Sequence, residues 1–261
     1  MSRSLKNIMA MIEEVNDEVD VEKAFLNDLQ RSIEFDEKKN RREPSKTYKP
    51  SSMNCMRKSY YTITGATSDE CERSYISIGT CNSGSDIHER IQKAVANMKE
   101  NGMDCEYVDV AEFVKGRSTL NVVEVISKQG METKLFHHDL NMSFLCDGII
   151  KYKGKYYILE LKSESSNKFW NRKNVDESHY MQAKAYCTAL KLSEVIFVYI
   201  CRDNLQMKSF MYKVTPSMKK EVKEYVATCN EYIVKKQVPP KNEDRKKCQY
   251  CEYKEQCRKD D

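Results

Sequence analysis

Two short β-rich runs joined by a two-residue turn constrain the fold of this chain more than any other feature. The runs are SFLCDGIIKY and KYYILELKS, and they meet at Lys153-Gly154. Glycine adopts the positive φ that a tight turn requires, so the runs are predicted to pair as the antiparallel strands of one hairpin. Residues that face each other in this hairpin have numbers that add up to 307.

This pairing places two carboxyl groups opposite each other. Asp147 is predicted to face Glu160, with Cβ atoms about 4.5–5.5 Å apart, so that both can bind one divalent cation. Lys162 lies on the same face because strand side chains alternate, and Leu159 and Leu161 point into a core. A solvated strand face with a cross-strand ion pair is the alternative. We favour the cation, because opposed acids repel and the flanking sequence is too apolar for an exposed ribbon.

Helix and strand patterns alternate through the rest of the chain and predict an α/β fold, in which a small mixed sheet is flanked by helices. Apolar residues at helical spacing predict a helix over residues 86–99, with His88 near its N-terminal end. A second helix is predicted over residues 176–192, with Gln182 and Tyr186 one turn apart on one face. The other predicted elements are strands over residues 194–201 and 206–214 and a helix that begins at Pro216.

Three cysteines lie within ten residues in the string CQYCEYKEQC. The spacing Cys248-x2-Cys251-x5-Cys257 is typical of a metal site rather than of disulfides in a chain of this kind. Zinc and an iron–sulfur cube both accept four thiolates, but zinc ribbons usually supply a second close pair of cysteines, and the upstream cysteines are single. Spacing alone therefore leaves both metals open. Other cysteines lie in apolar patterns and are predicted to be core residues: Cys146, Cys187, Cys201 and Cys229.

A set of motif residues has a specific order along the chain. In that order they are His88, Asp147, Glu160-x-Lys162, Gln182-x-x-x-Tyr186 and the three C-terminal cysteines. Over about residues 48–257 the chain resembles the RecB-like branch of the PD-(D/E)XK nucleases. With the cysteines included, it looks like the iron–sulfur members of this branch, which include a CRISPR-associated exonuclease, the AddB nuclease domain and phage exonucleases. The resemblance implies a restriction-endonuclease-like core and a metal-dependent exonuclease that hydrolyses DNA at ends or in single strands.

The resemblance also implies a role for each motif residue. The ligands of Mg²⁺ or Mn²⁺ are expected to be His88, Asp147, Glu160 and the carbonyl of Leu161. Lys162 is expected to orient the attacking water or to stabilise negative charge on the phosphate, as a point cation does well. Gln182 and Tyr186 are expected to contact the scissile nucleotide or to support the metal site.

The string KPSSMNCMRKSYY resembles the segment that carries the first cluster ligand in the iron–sulfur members. Cys55 would then join Cys248, Cys251 and Cys257 around a 4Fe-4S cluster that ties both ends of the nuclease core together. Cys71 and Cys81 are the alternatives for the fourth ligand. Two other functions stay open: a non-catalytic DNA-binding or assembly subunit of a recombination or integration complex, and a zinc-stapled endonuclease.

The N-terminal region differs from the rest in charge. Residues 1–36 carry a net charge of −5 and residues 37–58 a net charge of +6. The basic stretch is equally typical of a contact with a phosphate backbone and of a flexible connector. We therefore divide the chain into a helical and linker segment over residues 1–47 and a nuclease domain over residues 48–261.

Apolar residues with a 3-4 spacing run through the acidic segment. They predict one long or two shorter amphipathic helices, which pack on the parent domain or bind a protein partner or a second copy. The residues are Leu5, Ile8, Ile12, Val15, Val19, Leu26, Leu29 and Ile33. No apolar run approaches the ~20 residues of a membrane span, and the sequence turns acidic before any signal-peptide pattern. A cytoplasmic protein without membrane contact is expected.

Overall fold

The computed structural model describes residues 20–40, 45–69, 73–244, 248 and 251–260. In this part of the chain, no helix is both long enough and apolar enough to cross a membrane. The helices and strands follow in chain order: α1 (Val21–Lys39), α2 (Met56–Thr64), α3 (Tyr75–Ala96), β1 (Cys105–Val108), α4 (Val110–Lys115), β2 (Val123–Gln129), β3 (Glu132–His137), β4 (Met142–Cys146), β5 (Gly148–Tyr152), β6 (Lys155–Glu164), α5 (Ser166–Asn171), α6 (Tyr180–Ala189), β7 (Glu194–Cys201), β8 (Met207–Lys213), α7 (Pro216–Val234) and α8 (Lys254–Lys259).

The chain divides into two compact units, of which the smaller comprises Met1–Arg42 and Glu72–Thr80. Its main described element is α1, which confirms the helix predicted around Leu26 to Ile33, whereas the part predicted over residues 5–19 lies outside the described residues. The large apolar side chains of α1 are exposed to solvent: Val21, Phe25, Leu26, Leu29, Ile33 and Phe35.

The larger unit comprises Glu43–Cys71 and Cys81–Asp261 and contains both sheets. A five-stranded mixed sheet has the order β1-β5-β6-β7-β8, and a three-stranded antiparallel sheet has the order β2-β3-β4. In the five-stranded sheet only the β6–β7 pair is parallel. Apolar residues pack on both faces of this sheet, with Ile87 of α3 on one face and Ala183 of α6 and Val222 of α7 on the other. This arrangement confirms the predicted α/β fold.

The predicted hairpin is present as β5 and β6. Gly148 pairs with Leu159, so the numbers of facing residues add up to 307, as the turn position requires. Lys153 and Gly154 form the turn with φ values of 48° and 79°. Leu159 and Leu161 lie in the core cluster that also contains Ile87, which confirms their predicted direction. The register of the hairpin therefore follows from the local chemistry of its turn.

The first run of the hairpin is interrupted, which the sequence did not predict. Residues 143–152 were expected to form one strand, but they belong to β4 and β5, which lie in different sheets. Asp147 is the single residue between them. Two further strands of the same three-stranded sheet, β2 and β3, and the edge strand β1 were also not predicted.

Two predicted helices have different bounds in the structure. α3 begins at Tyr75, so the expectation that His88 lies near the N-terminal end of its helix is wrong, and His88 lies in the second half. The first half, YISIGTCNSGSD, is rich in small and polar residues and has no apolar period that would indicate a helix. The helix predicted over residues 176–192 is a 3₁₀ turn, Glu177–His179, followed directly by α6.

Candidate active site

Five motif residues of the larger unit meet in one buried cluster. Asp147 comes from the junction of β4 and β5, Glu160 and Lys162 come from β6, and Gln182 and Tyr186 come from α6. Glu160 and Lys162 share a face because they are two positions apart in a strand. Gln182 and Tyr186 share a face because they are four positions apart in a helix. The expected spacing therefore brings these side chains together.

Asp147 is held by contacts to both its side chain and its backbone. Its Oδ2 accepts a hydrogen bond of 2.7 Å from the backbone N–H of Leu161, and its carbonyl accepts one of 2.6 Å from Gln92 Nε2 on α3. Only 7% of the residue is exposed. Burial raises the pKa of the Asp147 carboxyl group, while the N–H of Leu161 acts in the opposite direction.

Glu160 is fixed by a network that reaches into α6. Its Oε1 accepts hydrogen bonds from Lys162 Nζ at 2.6 Å and from Gln182 Nε2 at 2.7 Å. Gln182 Oε1 in turn accepts from Lys162 Nζ at 3.0 Å. The hydroxyl of Tyr186 accepts from Gln182 Nε2 at 3.0 Å and donates to the carbonyl of Leu145 at 2.6 Å. This network fixes the orientation of both Glu160 and Lys162.

The second carboxylate oxygen of Glu160 is different, because Oε2 is buried and has no hydrogen-bond partner among the described residues. Burial raises the pKa of Glu160, and the neighbouring charge of Asp147 raises it further. An ionised buried oxygen without a partner is costly. A divalent cation between the two carboxylates would satisfy Oε2 and remove their repulsion, so these residues fit a metal ion.

Glu132, a third acid, and His88 also lie next to Asp147. His88, Glu132 and Asp147 each offer a ligand atom, and these three atoms all lie within 4.8 Å of one another. His88 Nδ1 is 3.8 Å from Asp147 Oδ1. Burial lowers the pKa of His88 and so favours the neutral imidazole that binds metals. The structure thus places the predicted ligand His88 beside Asp147.

Glu132 was not predicted, although the sequence contains a signal for it. Thr133 pairs with Cys146 in the β3–β4 hairpin, so one further step along this register places Glu132 opposite Asp147. The numbers of facing residues in this hairpin add up to 279. The same reasoning that paired Asp147 with Glu160 would have found Glu132, but it requires β3 to be recognised as a strand first.

The cysteines predicted to be core residues and those predicted to bind a metal differ in their burial. Four of them are fully buried, as predicted: Cys146, Cys187, Cys201 and Cys229. Cys55 directly precedes α2, and Cys248, Cys251 and Cys257 lie in the C-terminal segment. Of the two alternative ligands, Cys81 is exposed on α3, and Cys71 lies outside the described residues.

Contacts join the segment after Cys55 to the C-terminal segment. Arg57 Nη1 is 3.6 Å from Cys257 Sγ, and the hydroxyl of Tyr61 donates to Asp260 Oδ2 at 2.7 Å. The N–H of Asp69 donates to the carbonyl of Glu252 at 2.7 Å. Burial raises the pKa of the Cys251 thiol, and the neighbouring Cys55 adds to this effect. These contacts join the segment that follows Cys55 to the C-terminal segment that carries the other three cysteines.

Comparison with known proteins identifies the family. A sequence profile of the PD-(D/E)XK nuclease superfamily matches residues 121–258, which is more than half of the chain. Among solved structures, the crystal structure of SSO0001 is similar, with 16% sequence identity and a TM-score of 0.44, over 88% of this chain and 94% of that chain. A search of curated protein sequences gives no match.

An alkaline exonuclease, LHK-Exo, from Laribacter hongkongensis is also similar, with 11% identity and a TM-score of 0.44, over 74% of this chain and 90% of that chain. Its complex with dAMP matches with 11% identity and a TM-score of 0.38, over 73% and 89% of the two chains. The profile match covers Asp147, Glu160 and Lys162 and agrees with a restriction-endonuclease-like core built on the mixed sheet. The chain therefore belongs to the PD-(D/E)XK nuclease superfamily.

Proposed function

We propose that this protein is a metal-dependent DNA exonuclease that hydrolyses phosphodiester bonds at DNA ends or in single strands. The observation that carries the proposal is the buried pair Asp147 and Glu160, with Glu160 Oε2 unpartnered among the described residues and Lys162 in contact with the same carboxylate. Two buried acids beside a lysine form a site for a cation and a phosphate. Nucleases of this superfamily use divalent metals, in agreement with this chemistry.

His88, Glu132 and Asp147 offer ligand atoms within 4.8 Å of one another, and we propose that Glu160, whose Oε2 has no partner among the described residues, completes the ligand set. They offer carboxylate oxygens and a neutral imidazole, which suit Mg²⁺ or Mn²⁺. The carbonyl of Leu161 stays a further proposed ligand. When bound, the cation supplies Lewis acidity to the phosphate that is cleaved.

The remaining motif residues position the reacting groups. Lys162 Nζ is held by Glu160 and Gln182, so its charge is fixed where a phosphate would approach the acids. There it can orient the attacking water or stabilise the developing negative charge. Tyr186 has its hydroxyl hydrogen-bonded to Gln182 and Leu145 and is buried, which supports a positioning role rather than a contact with the nucleotide.

We further propose that Cys55, Cys248, Cys251 and Cys257 hold a 4Fe-4S cluster. The donor set consists of four thiols, which both iron–sulfur cubes and zinc accept. The contacts between the segment after Cys55 and the C-terminal segment favour Cys55 over Cys81 as the fourth ligand. The role of the cluster would be structural, because it would link two segments that are far apart in the sequence.

The nuclease proposal is tested by incubating the purified protein with end-labelled linear DNA and with circular single-stranded DNA. Cleavage of the linear substrate in Mg²⁺ or Mn²⁺, its loss in EDTA and an intact circle are expected for an exonuclease. Cutting of the circle would indicate an endonuclease. DNA binding without cleavage under any of these metals would favour the non-catalytic subunit. Iron and zinc assays after anaerobic purification distinguish the cluster from a zinc site.

The cellular setting is proposed to be recombination, replication or CRISPR-adaptation-like processing of DNA in the cytoplasm. The exposed apolar side chains of α1 support a contact with a protein partner or with a second copy of the chain. Light scattering after gel filtration tests the second copy. If it forms through α1, replacement of Leu29 by glutamate should convert the wild-type oligomer to monomer, whereas a monomeric wild-type protein would leave only an external partner.

A further inference from the structure

His179 lies beside the proposed active site but has no part in it so far. It ends the 3₁₀ turn that leads into α6, and its ring stacks on Phe197 at 6.1 Å and on Tyr199 at 5.9 Å between ring centroids. In the parallel pairing of β6 with β7, Phe197 is the neighbour of Glu160, and Tyr199 is the neighbour of Lys162. His179 therefore covers the same face of the sheet from which the catalytic acid and lysine project.

The hydrogen bonds of Tyr199 favour one tautomer of His179. The buried hydroxyl of Tyr199 accepts a hydrogen bond of 3.0 Å from the backbone N–H of Asp176 and lies 2.9 Å from His179 Nδ1. Because the N–H of Asp176 is a donor, the only described acceptor for the Tyr199 proton is Nδ1. The arrangement that gives the Tyr199 proton an acceptor thus has Nδ1 unprotonated and the proton of the neutral imidazole on Nε2.

The Nε2–H group has no hydrogen-bond partner among the described residues, and it is not among their buried unpartnered atoms. It is thus a fixed donor that a ligand can reach. On the neighbouring strand, Lys162 Nζ bonds to Gln182, which lies three residues after His179 in the chain. The donor of His179 and the ammonium group of Lys162 therefore lie on one face of the sheet, over β6 and β7.

The charges around His179 suit an anion. Burial lowers the pKa of His179 to about 4, Lys162, Arg172 and Lys168 act in the same direction, and Asp176 acts against them. The ring is thus neutral at physiological pH. Arg172 is bound to Glu164 at 2.7 Å and to Asp176 at 3.1 Å, which leaves its charge largely compensated. Lys168 is exposed and forms no ion pair with the described residues.

We propose that His179 is a phosphate-binding residue of the DNA site. Its Nε2–H donates a hydrogen bond to a non-bridging oxygen of a phosphate in the substrate strand, and Lys168 adds positive charge at the same position. This phosphate lies beside the one that is cleaved, along β6 toward α5. The inference rests on the proposed nuclease function and names a contact that positions its substrate.

The first test measures the tautomer and the contact directly. Imidazole ¹⁵N NMR spectra of the wild-type protein are expected to show His179 protonated at Nε2. A phosphorothioate oligonucleotide, which resists hydrolysis, should shift the Nε2–H resonance when it is added in Ca²⁺. A His179 ring protonated at Nδ1, or an Nε2–H resonance that is unchanged at saturating oligonucleotide, would overturn the proposal.

The second test uses kinetics. His179→Ala should raise the KM for DNA by about tenfold to a hundredfold. This range corresponds to the free energy that one hydrogen bond to a charged group contributes to binding. Its kcat and its requirement for Mn²⁺ should stay close to wild type, because no reacting group is removed. His179→Gln retains an N–H donor and should recover part of the affinity. His138→Ala is the matched control, since His138 is an exposed histidine paired with Glu124.

Two substrates distinguish the source of the phosphate. If the KM effect of His179→Ala is confined to oligonucleotides with a 5′-phosphate, the bound group is the terminal phosphate. If it is equal with a 5′-hydroxyl, the bound group is an internal phosphodiester. Equal KM values for wild type and His179→Ala, with both folded and active, would refute this inference alone. A wild-type protein that neither binds nor cleaves DNA would refute the proposed function itself.

Discussion

Burial gives the two central carboxyl groups properties that exposed acids lack. Asp147 is 7% and Glu160 is 3% exposed, and each is constrained on one oxygen by hydrogen bonds. Burial raises the pKa values of both groups, and their mutual repulsion adds to the effect on Glu160. In the absence of a cation, ionisation of this pair therefore opposes folding, although it is required for metal binding.

Replacement of the two acids or of Lys162 by uncharged side chains of similar size should strongly reduce hydrolysis but retain DNA binding. Glu160→Gln, Asp147→Asn and Lys162→Met should each lower the cleavage rate by about a hundredfold or more, because several kcal/mol of transition-state stabilisation are lost. The affinity for DNA should remain within a few-fold of wild type. Rates are measured with labelled linear DNA in Mn²⁺, and Glu106→Gln on an exposed part of β1 serves as the control. Near-normal cleavage by Glu160→Gln would contradict the assignment.

The same pair predicts how stability depends on pH. Raised pKa values mean that the folded protein binds more protons than the unfolded chain, so the stability from these groups is complete at low pH and is lost as the pH rises through their folded pKa values. The Tm of the metal-free protein should therefore fall between about pH 4, where the unfolded chain begins to ionise, and about pH 7, where the folded pair has ionised. Mg²⁺ should restore it at the upper end.

A double variant provides the control for this pH profile. In Asp147→Asn with Glu160→Gln, neither side chain can ionise, so the Tm should depend less on pH and should respond little to Mg²⁺. Thermal unfolding in EDTA and in Mg²⁺ at a series of pH values measures both effects. Identical profiles for wild type and the double variant would show that other groups control the stability.

At the scale of elements, the sequence predicted those helices and strands whose position is determined by residues close together in the chain. The β5–β6 hairpin follows from Lys153-Gly154, because a two-residue turn fixes the register without reference to the rest of the chain. Glu132 and the start of α3 could not be predicted in this way. Glu132 reaches the site only through the β3–β4 pairing, and the first half of α3 has no apolar period, so both depend on contacts between segments that are distant in sequence.

The turn of this hairpin gives a prediction for a single glycine. Gly154 has a φ of 79°, and a Cβ atom there would meet no other atom within 4 Å. Gly154→Ala should therefore lower the free energy of unfolding by about 1 kcal/mol through backbone strain alone. Gly79→Ala is the matched variant: it also has open space, but it lies inside α3 without a positive φ. It should raise stability by up to about 1 kcal/mol.

Urea unfolding of both glycine variants measures these differences. The two substitutions add the same methyl group in open space, so opposite signs would isolate the contribution of backbone conformation. Equal destabilisation by both variants would contradict the turn geometry.

At the scale of the whole molecule, the proposed cluster would close a loop of about 200 residues between Cys55 and the C-terminal cysteines. If the cluster is present, the protein should be brown, and Cys55→Ser, Cys248→Ser, Cys251→Ser and Cys257→Ser should each remove this colour and lower the thermal midpoint, because binding of the cluster contributes to folding. Absorption spectra and iron content after anaerobic purification measure the loss.

Two further cysteine variants complete this test. Cys187→Ser should keep its colour, because Cys187 is buried in the apolar core away from the C-terminal segment. Full colour in Cys55→Ser together with a colourless Cys81→Ser would move the fourth ligand to α3. Stoichiometric zinc without iron would replace the cluster by a zinc site.

The position of Asp147 between two sheets has a mechanical consequence. Asp147 is the one residue that joins β4 to β5, so it connects the three-stranded sheet directly to the five-stranded sheet. A small change in the angle between the two sheets would therefore move the Asp147 carboxylate. Substitutions of core residues in the three-stranded sheet, such as Leu135, would thus change the affinity of the site for its cation without a direct contact. An insertion between β4 and β5 would be far more harmful than one in an outer turn.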